Sequence, residues 1–167
     1  MRMLNVLFLC THNSARSILA EATLNHIGGG RFKAYSAGSS PRENQQPNPL
    51  GLQALREAGI PTEGLRSKSW DEFATPDAPH MDLIITVCDD AAGEQCPYWP
   101  GHPATAHWGY ADPSAVAGTD EDRLQAFRRT LIAMRHRLDL LLALPLEGVE
   151  MLAMQAHARK LSGEAPS

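Results

Sequence analysis

The feature that most constrains this fold is a change of pattern at residue 10. An apolar run, Leu4-Asn-Val-Leu-Phe-Leu9, ends in Cys10-Thr-His-Asn-Ser-Ala-Arg16, and a helix-patterned stretch, Ser17 to Ile27, follows at once. The run has the make-up of a buried strand. The chain must therefore pass from strand to helix through one tight polar loop that carries a thiol and a guanidinium. Such a loop can turn successive backbone N–H groups inward and make a nest for an anion. The helix N-terminus adds positive potential at the same place. Arg16 can grip two oxygens of a tetrahedral oxyanion side by side, and the same field favours thiolate over thiol at Cys10. Thr11, His12, Asn13, Ser14, Ala15 and Arg16 are the expected oxyanion-binding residues, and Cys10 the nucleophile that attacks the bound central atom. The competing reading is an inert Cys10 at a strand end, since an unpaired cysteine often packs as a small apolar residue.

The rest of the chain repeats the alternation. Ile18, Leu19, Ala22 and Ile27 recur at helical spacing, and Gly28-Gly29-Gly30 stops that helix. Phe32 to Ser36 reads as a second strand, with Ala37 to Pro41 as the loop after it. Asn48 caps a second helix with Pro49 at its first position; Leu52, Leu55 and Ala58 form its inward stripe. Met81 to Val87 contains the β-branched run of a buried parallel strand, and Thr105 to Trp108 is a short last strand. Thr119-Asp-Glu-Asp122 opens the longest helix. Along it Leu124, Phe127, Leu131, Met134, Leu138 and Leu141 form a core stripe, and Arg128, Arg129, Arg135 and Arg137 a solvated face. After Pro145, Leu146 to Leu161 reads as one more helix and Ser162 to Ser167 as a frayed tail. The expected fold is α/β: three α/β/α layers around a mostly parallel four-stranded sheet with right-handed crossovers. Ligands on such sheets bind beyond the carboxyl ends of strands, where the Cys10 loop lies.

Composition narrows the classes. A length of 167 residues suits one domain with a full core. The formal net charge of −4 supplies no global basic field for nucleic acid or an anionic membrane, so anion binding must come from a local site. No apolar stretch approaches the roughly 20 residues that span a bilayer. Three cysteines, an odd number, do not make a secreted disulfide scaffold and fit a reducing cytoplasm.

Cys88 ends the third strand and so lies on the same rim of the sheet as Cys10; Cys96 follows across Asp89-Asp90-Ala-Ala-Gly93-Glu-Gln. Three readings stand. The spacing is too wide for a zinc knuckle; the two can be unreactive; or they can form a thiol relay in which Cys96 swings onto Cys88 once Cys88 has reacted. A disulfide needs Cα atoms within about 7 Å. Asp112-Pro113 places a carboxyl in a loop above the anion site, able to give a proton to a leaving oxygen; its other reading is an ordinary turn aspartate. Asn13 tolerates the left-handed backbone of a nest, and the Ser17 hydroxyl can donate to the Cys10 sulfur. His12 is read as shaping the loop, and His107 as packing.

Leu-Phe-Leu-Cys10-Thr-His-Asn-Ser-Ala-Arg16-Ser17, Ala20-Glu21-Ala22, Tyr35-Ser-Ala-Gly38 and Asp112-Pro113 resemble the low-molecular-weight protein tyrosine phosphatase superfamily. Thr86-Val-Cys88, Cys96-Pro97 and His107-Trp-Gly109 resemble its arsenate reductase branch. The resemblance spans about Leu4 to Leu144, so residues 1–144 are expected to form the reductase domain and 145–167 a helical extension. It implies Cys10 as nucleophile on arsenate, Thr11 to Arg16 as the oxyanion loop, Asp112 as general acid and Cys88 as the second thiol. Cys88 attacks the Cys10–arsenic adduct, arsenite leaves, and Cys96 resolves the Cys10–Cys88 disulfide. Two thiols becoming one disulfide supply the two electrons that arsenic(V) takes up.

There are departures. Ala15 stands where many relatives carry an extra cysteine, and His12 where glycine is common. The interval from Cys88 to Cys96 is one residue longer than in thioredoxin-coupled relatives, so the external reductant is thioredoxin or glutathione with glutaredoxin. No bound cofactor and no metal is assigned. Asn13, Glu21 and Ser36 match positions that bind a potassium ion in some relatives, yet the remaining acidic ligand does not align near Trp70-Asp71. The alternative is a phosphatase on phosphotyrosine, which would use Cys10, Arg16 and Asp112 without Cys88 or Cys96. Ser114-Ala115-Val116, after Asp-Pro, offer no ring to grip a tyrosine.

Overall fold

The computed structural model describes residues 3–89 and 104–145. In chain order it contains β1 (Leu4–Cys10), α1 (Arg16–Ile27), β2 (Phe32–Gly38), α2 (Pro49–Glu57), β3 (Leu83–Thr86), β4 (Ala104–His107) and α3 (Asp120–Leu142). Short 3₁₀ turns lie at Trp70–Phe73 and Pro113–Ala115. The strands form one sheet in the order β2-β1-β3-β4, and every neighbouring pair is parallel. Cys96 and the segment from Leu146 to the C-terminus, read from sequence as a relay thiol, a helix and a tail, lie outside the described residues.

β1 is interior to the sheet, which is why it is apolar on both faces rather than alternating. Val6 and Phe8 join a core with Leu19 and Leu24 of α1, Leu55 of α2 and Phe127 and Met134 of α3. Leu7 and Leu9 face the other way, with Ala37 and Ile84, and Trp70 and Phe73 of the 3₁₀ turn pack against them. One face of the sheet thus carries the helices, and among the described residues the Trp70–Phe73 turn covers the other.

The helix signals in the sequence act as read. Asn48 accepts a hydrogen bond from the Leu50 N–H at 2.9 Å with Pro49 at the first position. Thr119 and Asp122 form a reciprocal capping box at the start of α3. All six apolar residues of the α3 stripe are buried. Arg31 donates to the carbonyls of Leu142 and Leu144, satisfying acceptors left open at the helix end.

Two expectations change. In α2 Gly51, Ala54 and Leu55 are buried and Leu52 packs half-buried against the core as read, while Ala58 is exposed, because the helix ends at Glu57 before the stripe can continue. Gly51 lets α2 approach α3 closely: a Cβ there would lie 3.1 Å from the Phe127 ring. β2 continues through Ala37 and Gly38, which pair with Leu9 and Cys10 instead of looping away. On α3, Arg129, Arg135 and Arg137 are exposed as read; in addition Arg128 forms a two-point ion pair with Glu57 of α2, and the Arg137 guanidinium lies over the rings of Trp108 and Tyr110.

Phe127 is fully buried where α2, α3 and the sheet meet. Phe127→Ala is expected to lower unfolding free energy by about 3–5 kcal/mol through lost burial and a residual cavity. Denaturant titration of both proteins checks it; a loss under about 1 kcal/mol would mean that the helices collapse onto the gap.

Candidate active site

The loop between β1 and α1 forms because its neighbours dictate its path. β1 ends at Cys10 in register with Gly38 of β2. Beyond that pair the loop stays tied to the segment after β2: the Ser39 N–H donates to the Cys10 carbonyl at 3.1 Å and the Ser40 N–H to the Thr11 carbonyl at 2.8 Å. His12 Nδ1 meets the Ser40 carbonyl at 2.9 Å, the loop-shaping role read from sequence. The Asn48 N–H reaches the Ser14 carbonyl at 2.8 Å. Gly38 is required by close approach: a Cβ would fall 2.6 Å from the Thr11 carbonyl oxygen and 3.0 Å from the Asn13 nitrogen.

Asn13 makes the turn, with φ of 57° in the left-handed region. It is completely buried, and its backbone N–H and both ends of its side-chain amide are hydrogen-bonded. Its backbone N–H points at Cys10 Sγ, 3.2 Å away. Its side-chain Nδ2 donates to Ser17 Oγ at 2.8 Å, and its Oδ1 accepts from the Lys68 N–H at 2.9 Å. Ser17 Oγ lies 2.8 Å from Cys10 Sγ. The Ser17 oxygen accepts from Asn13 and shares a further hydrogen bond with Cys10 Sγ, in which either atom can be the donor. Cys10 Sγ thus lies within hydrogen-bond reach of one backbone N–H and one hydroxyl.

Arg16 opens α1 with its side chain only 6% exposed. Its Nη1 donates to the Tyr110 carbonyl at 2.9 Å, which fixes the guanidinium between the loop and the segment after β4. Its Nη2 stands 3.9 Å from Asp112 Oδ2. Asp112 caps the Pro113–Ala115 turn, and its Oδ1 accepts from the Ser114 N–H and hydroxyl at 2.9 and 2.7 Å. The turn-forming and catalytic readings of Asp112 are therefore compatible: Oδ1 holds the turn and Oδ2 faces the site. Tyr110 is packed under Arg137, and burial pushes its phenol above the usual range.

Cys88 follows β3. The Val87 N–H donates to the Leu9 carbonyl, so β3 and β1 still run side by side as they reach the two cysteines. Cys88 is fully buried, in the same core cluster as Cys10, and neither is in a disulfide. The sequence-predicted residues Cys10 to Ser17, Asp112 and Cys88 are thus gathered at the carboxyl ends of β1, β3 and β4. His107 Nδ1 meets the Thr86 hydroxyl at 2.7 Å across β3 and β4, a packing contact as read.

Sequence reasoning missed Lys68. Its ammonium, 9% exposed, donates to the Ser36 and Arg66 carbonyls at 2.9 Å each and lies 3.7 Å from Glu21 Oε1. Glu21 also accepts from the Ser36 hydroxyl. Burial pushes the Glu21 carboxyl up, opposed by the Lys68 charge. Burial likewise pushes the Lys68 ammonium down, opposed by Glu21. Nothing in Arg66-Ser67-Lys68-Ser69 marks one lysine as buried.

Residues 5–158 match the family model described as low molecular weight phosphotyrosine protein phosphatase. The chain is similar to an arsenate reductase of Bacillus licheniformis, 40% identical over 125 residues, covering 74% of this chain and 84% of that one. Among solved structures it resembles the arsenate reductase from Archaeoglobus fulgidus, with a TM-score of 0.67 at 28% identity over 83% of this chain and 99% of that one. A thioredoxin-dependent arsenate reductase of Corynebacterium glutamicum gives a TM-score of 0.52 at 25% identity, over 83% of this chain and 63% of that one.

The close packing at Gly38 makes a direct test of the loop. Gly38→Ala is expected to weaken phosphate or arsenate binding about tenfold or more, roughly 1.4 kcal/mol, by pushing on Thr11 and Asn13. Calorimetric titration with either oxyanion measures it. Unchanged affinity in the folded variant would show that the loop yields without losing its nest.

Proposed function

Because this chain belongs to the low-molecular-weight phosphotyrosine protein phosphatase family and, within it, to the arsenate reductases, we propose that it reduces arsenate to arsenite with its own thiols. The observation that carries this reading is the second buried thiol, Cys88, one strand away from Cys10 at the same end of the sheet. A phosphatase has no use for it.

Arsenate binds in the Thr11–Arg16 loop against backbone N–H groups and the Arg16 guanidinium. Cys10 Sγ attacks arsenic, and one arsenic–oxygen bond breaks. Asp112 supplies a proton to the departing oxygen, which leaves as water. Cys88, as thiolate, then attacks Cys10 Sγ. The sulfur–arsenic bond breaks and its electron pair stays on arsenic, which falls from the +5 to the +3 state and leaves as arsenite. The two sulfurs, now a disulfide, have supplied both electrons. Cys96 attacks Cys88 in turn, frees Cys10 and leaves a Cys88–Cys96 disulfide for an external thiol reductant. Thioredoxin and glutaredoxin with glutathione are the two candidates. The thioredoxin dependence of the Corynebacterium relative supports the first. The site of action is the reducing cytoplasm; among the described residues no helix is long and apolar enough to cross a membrane.

Cys88→Ser separates the two chemistries of the family. It is expected to stop arsenite release while sparing hydrolysis of a small aryl phosphate, because a phosphoryl-cysteine is cleared by water whereas arsenic reduction needs a second thiol. Full arsenate reduction by this variant would overturn the relay. Arg16→Lys is expected to lower kcat/KM for arsenate by at least about 100-fold, or roughly 2.7 kcal/mol, since one ammonium cannot reproduce a planar two-point grip. Near-normal kinetics would remove Arg16 from the oxyanion site.

A further inference from the structure

The sequence places Asn13, Glu21 and Ser36 at positions that bind potassium in some relatives. In this chain those groups are already taken up by Lys68. The Ser36 carbonyl accepts from the Lys68 ammonium, and Glu21 Oε1 lies 3.7 Å from it. Asn13 Oδ1 accepts from the Lys68 backbone N–H. A potassium ion set among them would have to sit beside a fixed positive charge while competing for oxygens already bonded. The residues present do not fit the ion.

We propose that the Lys68 ammonium is a tethered cation in place of an exchangeable one, and that Lys68 is a positioning residue for the Cys10 loop. Both ends of the residue serve that role. The ammonium joins the end of β2, through the Ser36 carbonyl, to Glu21 of α1 and to the Arg66 carbonyl. The backbone of the same residue donates to Asn13 and accepts from the Gly38 N–H at 2.9 Å. Asn13 passes the constraint on, through Ser17 Oγ, to Cys10 Sγ. With the ammonium removed, the Glu21 carboxylate and two carbonyls would face one another with no cation between them, and the Lys68 peptide that orients Asn13 would lose its anchor. A cavity of roughly 300 Å³ lined by Glu21, Asn25, His26 and Glu63 lies beside Glu21.

The test uses the whole chain in buffers whose only other cation is tetramethylammonium, too large to enter. Initial rates of arsenate reduction and rates of Cys10 alkylation by iodoacetamide are measured for wild type, Lys68→Ala and Lys68→Met. Potassium, ammonium or methylammonium chloride is then added at constant ionic strength. The proposal rests on the reductase reading given above. Alkylation can be read whether or not arsenate is reduced, so failure of one is distinguishable from failure of the other. Wild type is expected to show no saturable response to potassium. Lys68→Ala is expected to lose about 10- to 100-fold in both rates, and the small cations to restore much of that loss. Lys68→Met, whose side chain fills the space, is expected to show the loss without the rescue. Saturable potassium activation of wild type would overturn the proposal, and that measurement does not depend on how the variants fold. So would full rates in Lys68→Ala, or a folded Lys68→Ala whose loss no cation repairs.

Discussion

The active-site end of this molecule depends on one buried amide. Asn13 holds a left-handed backbone, turns its N–H toward the Cys10 sulfur, steadies Ser17 with its Nδ2 and is itself steadied through Oδ1 by the Lys68 peptide. The Asn13 N–H and the Ser17 hydroxyl set the hydrogen-bonding surroundings of the Cys10 sulfur. Asparagine suits this position because it tolerates positive φ and brings both a donor and an acceptor on a short side chain. Aspartate would lack the donor to Ser17. Alanine would lack both groups and leave buried partners unsatisfied.

The sheet fixes where that amide sits. Parallel pairing of β1 with both β2 and β3 brings three segments to a common edge, with the loop, Gly38 and Cys88 each at the end of its own strand. The register that pairs Cys10 with Gly38 also brings the backbone after β2 close enough to bond the loop. A bulkier residue at 38 would meet Thr11 and Asn13 at once. From the far side, Arg16 and the Tyr110 carbonyl connect the loop to the segment that carries Asp112. Arg137 of α3 steadies that segment by stacking on Trp108 and Tyr110. The reactive groups are thus held from both flanks, and α3 contributes through contacts rather than chemistry.

What could be read from the sequence was whatever is local. The strand–loop–helix change around Cys10, the caps at Asn48 and Thr119 and the apolar stripe of α3 are periodic or short-range signals, and each stands in the structure. The nest geometry of Asn13 and the Ser17 contact followed from residue type and spacing. What could not be read is long-range. Lys68 looked like a surface charge, and only the meeting of β2, α1 and the segment before Trp70 makes it a half-buried, fully engaged cation. Arg137 is exposed as read, and its contact with the Trp108 and Tyr110 rings is a long-range feature that the pattern of α3 does not show. Ala58 continued a stripe by pattern but lies past the end of the short helix that would have buried it. Gly38 was visible as part of a motif, while the reason for a glycine there is the backbone of another segment.

The central claim is that the two electrons taken up by arsenic come from two thiols of this chain. It is tested most directly by one equivalent of arsenate added to the fully reduced protein with no external reductant. The account predicts one arsenite formed and two thiols lost per chain, with peptide mapping finding the oxidised sulfurs among Cys10, Cys88 and Cys96 as a single disulfide. Arsenite formed with all three thiols retained, or thiol loss without arsenite, would contradict it.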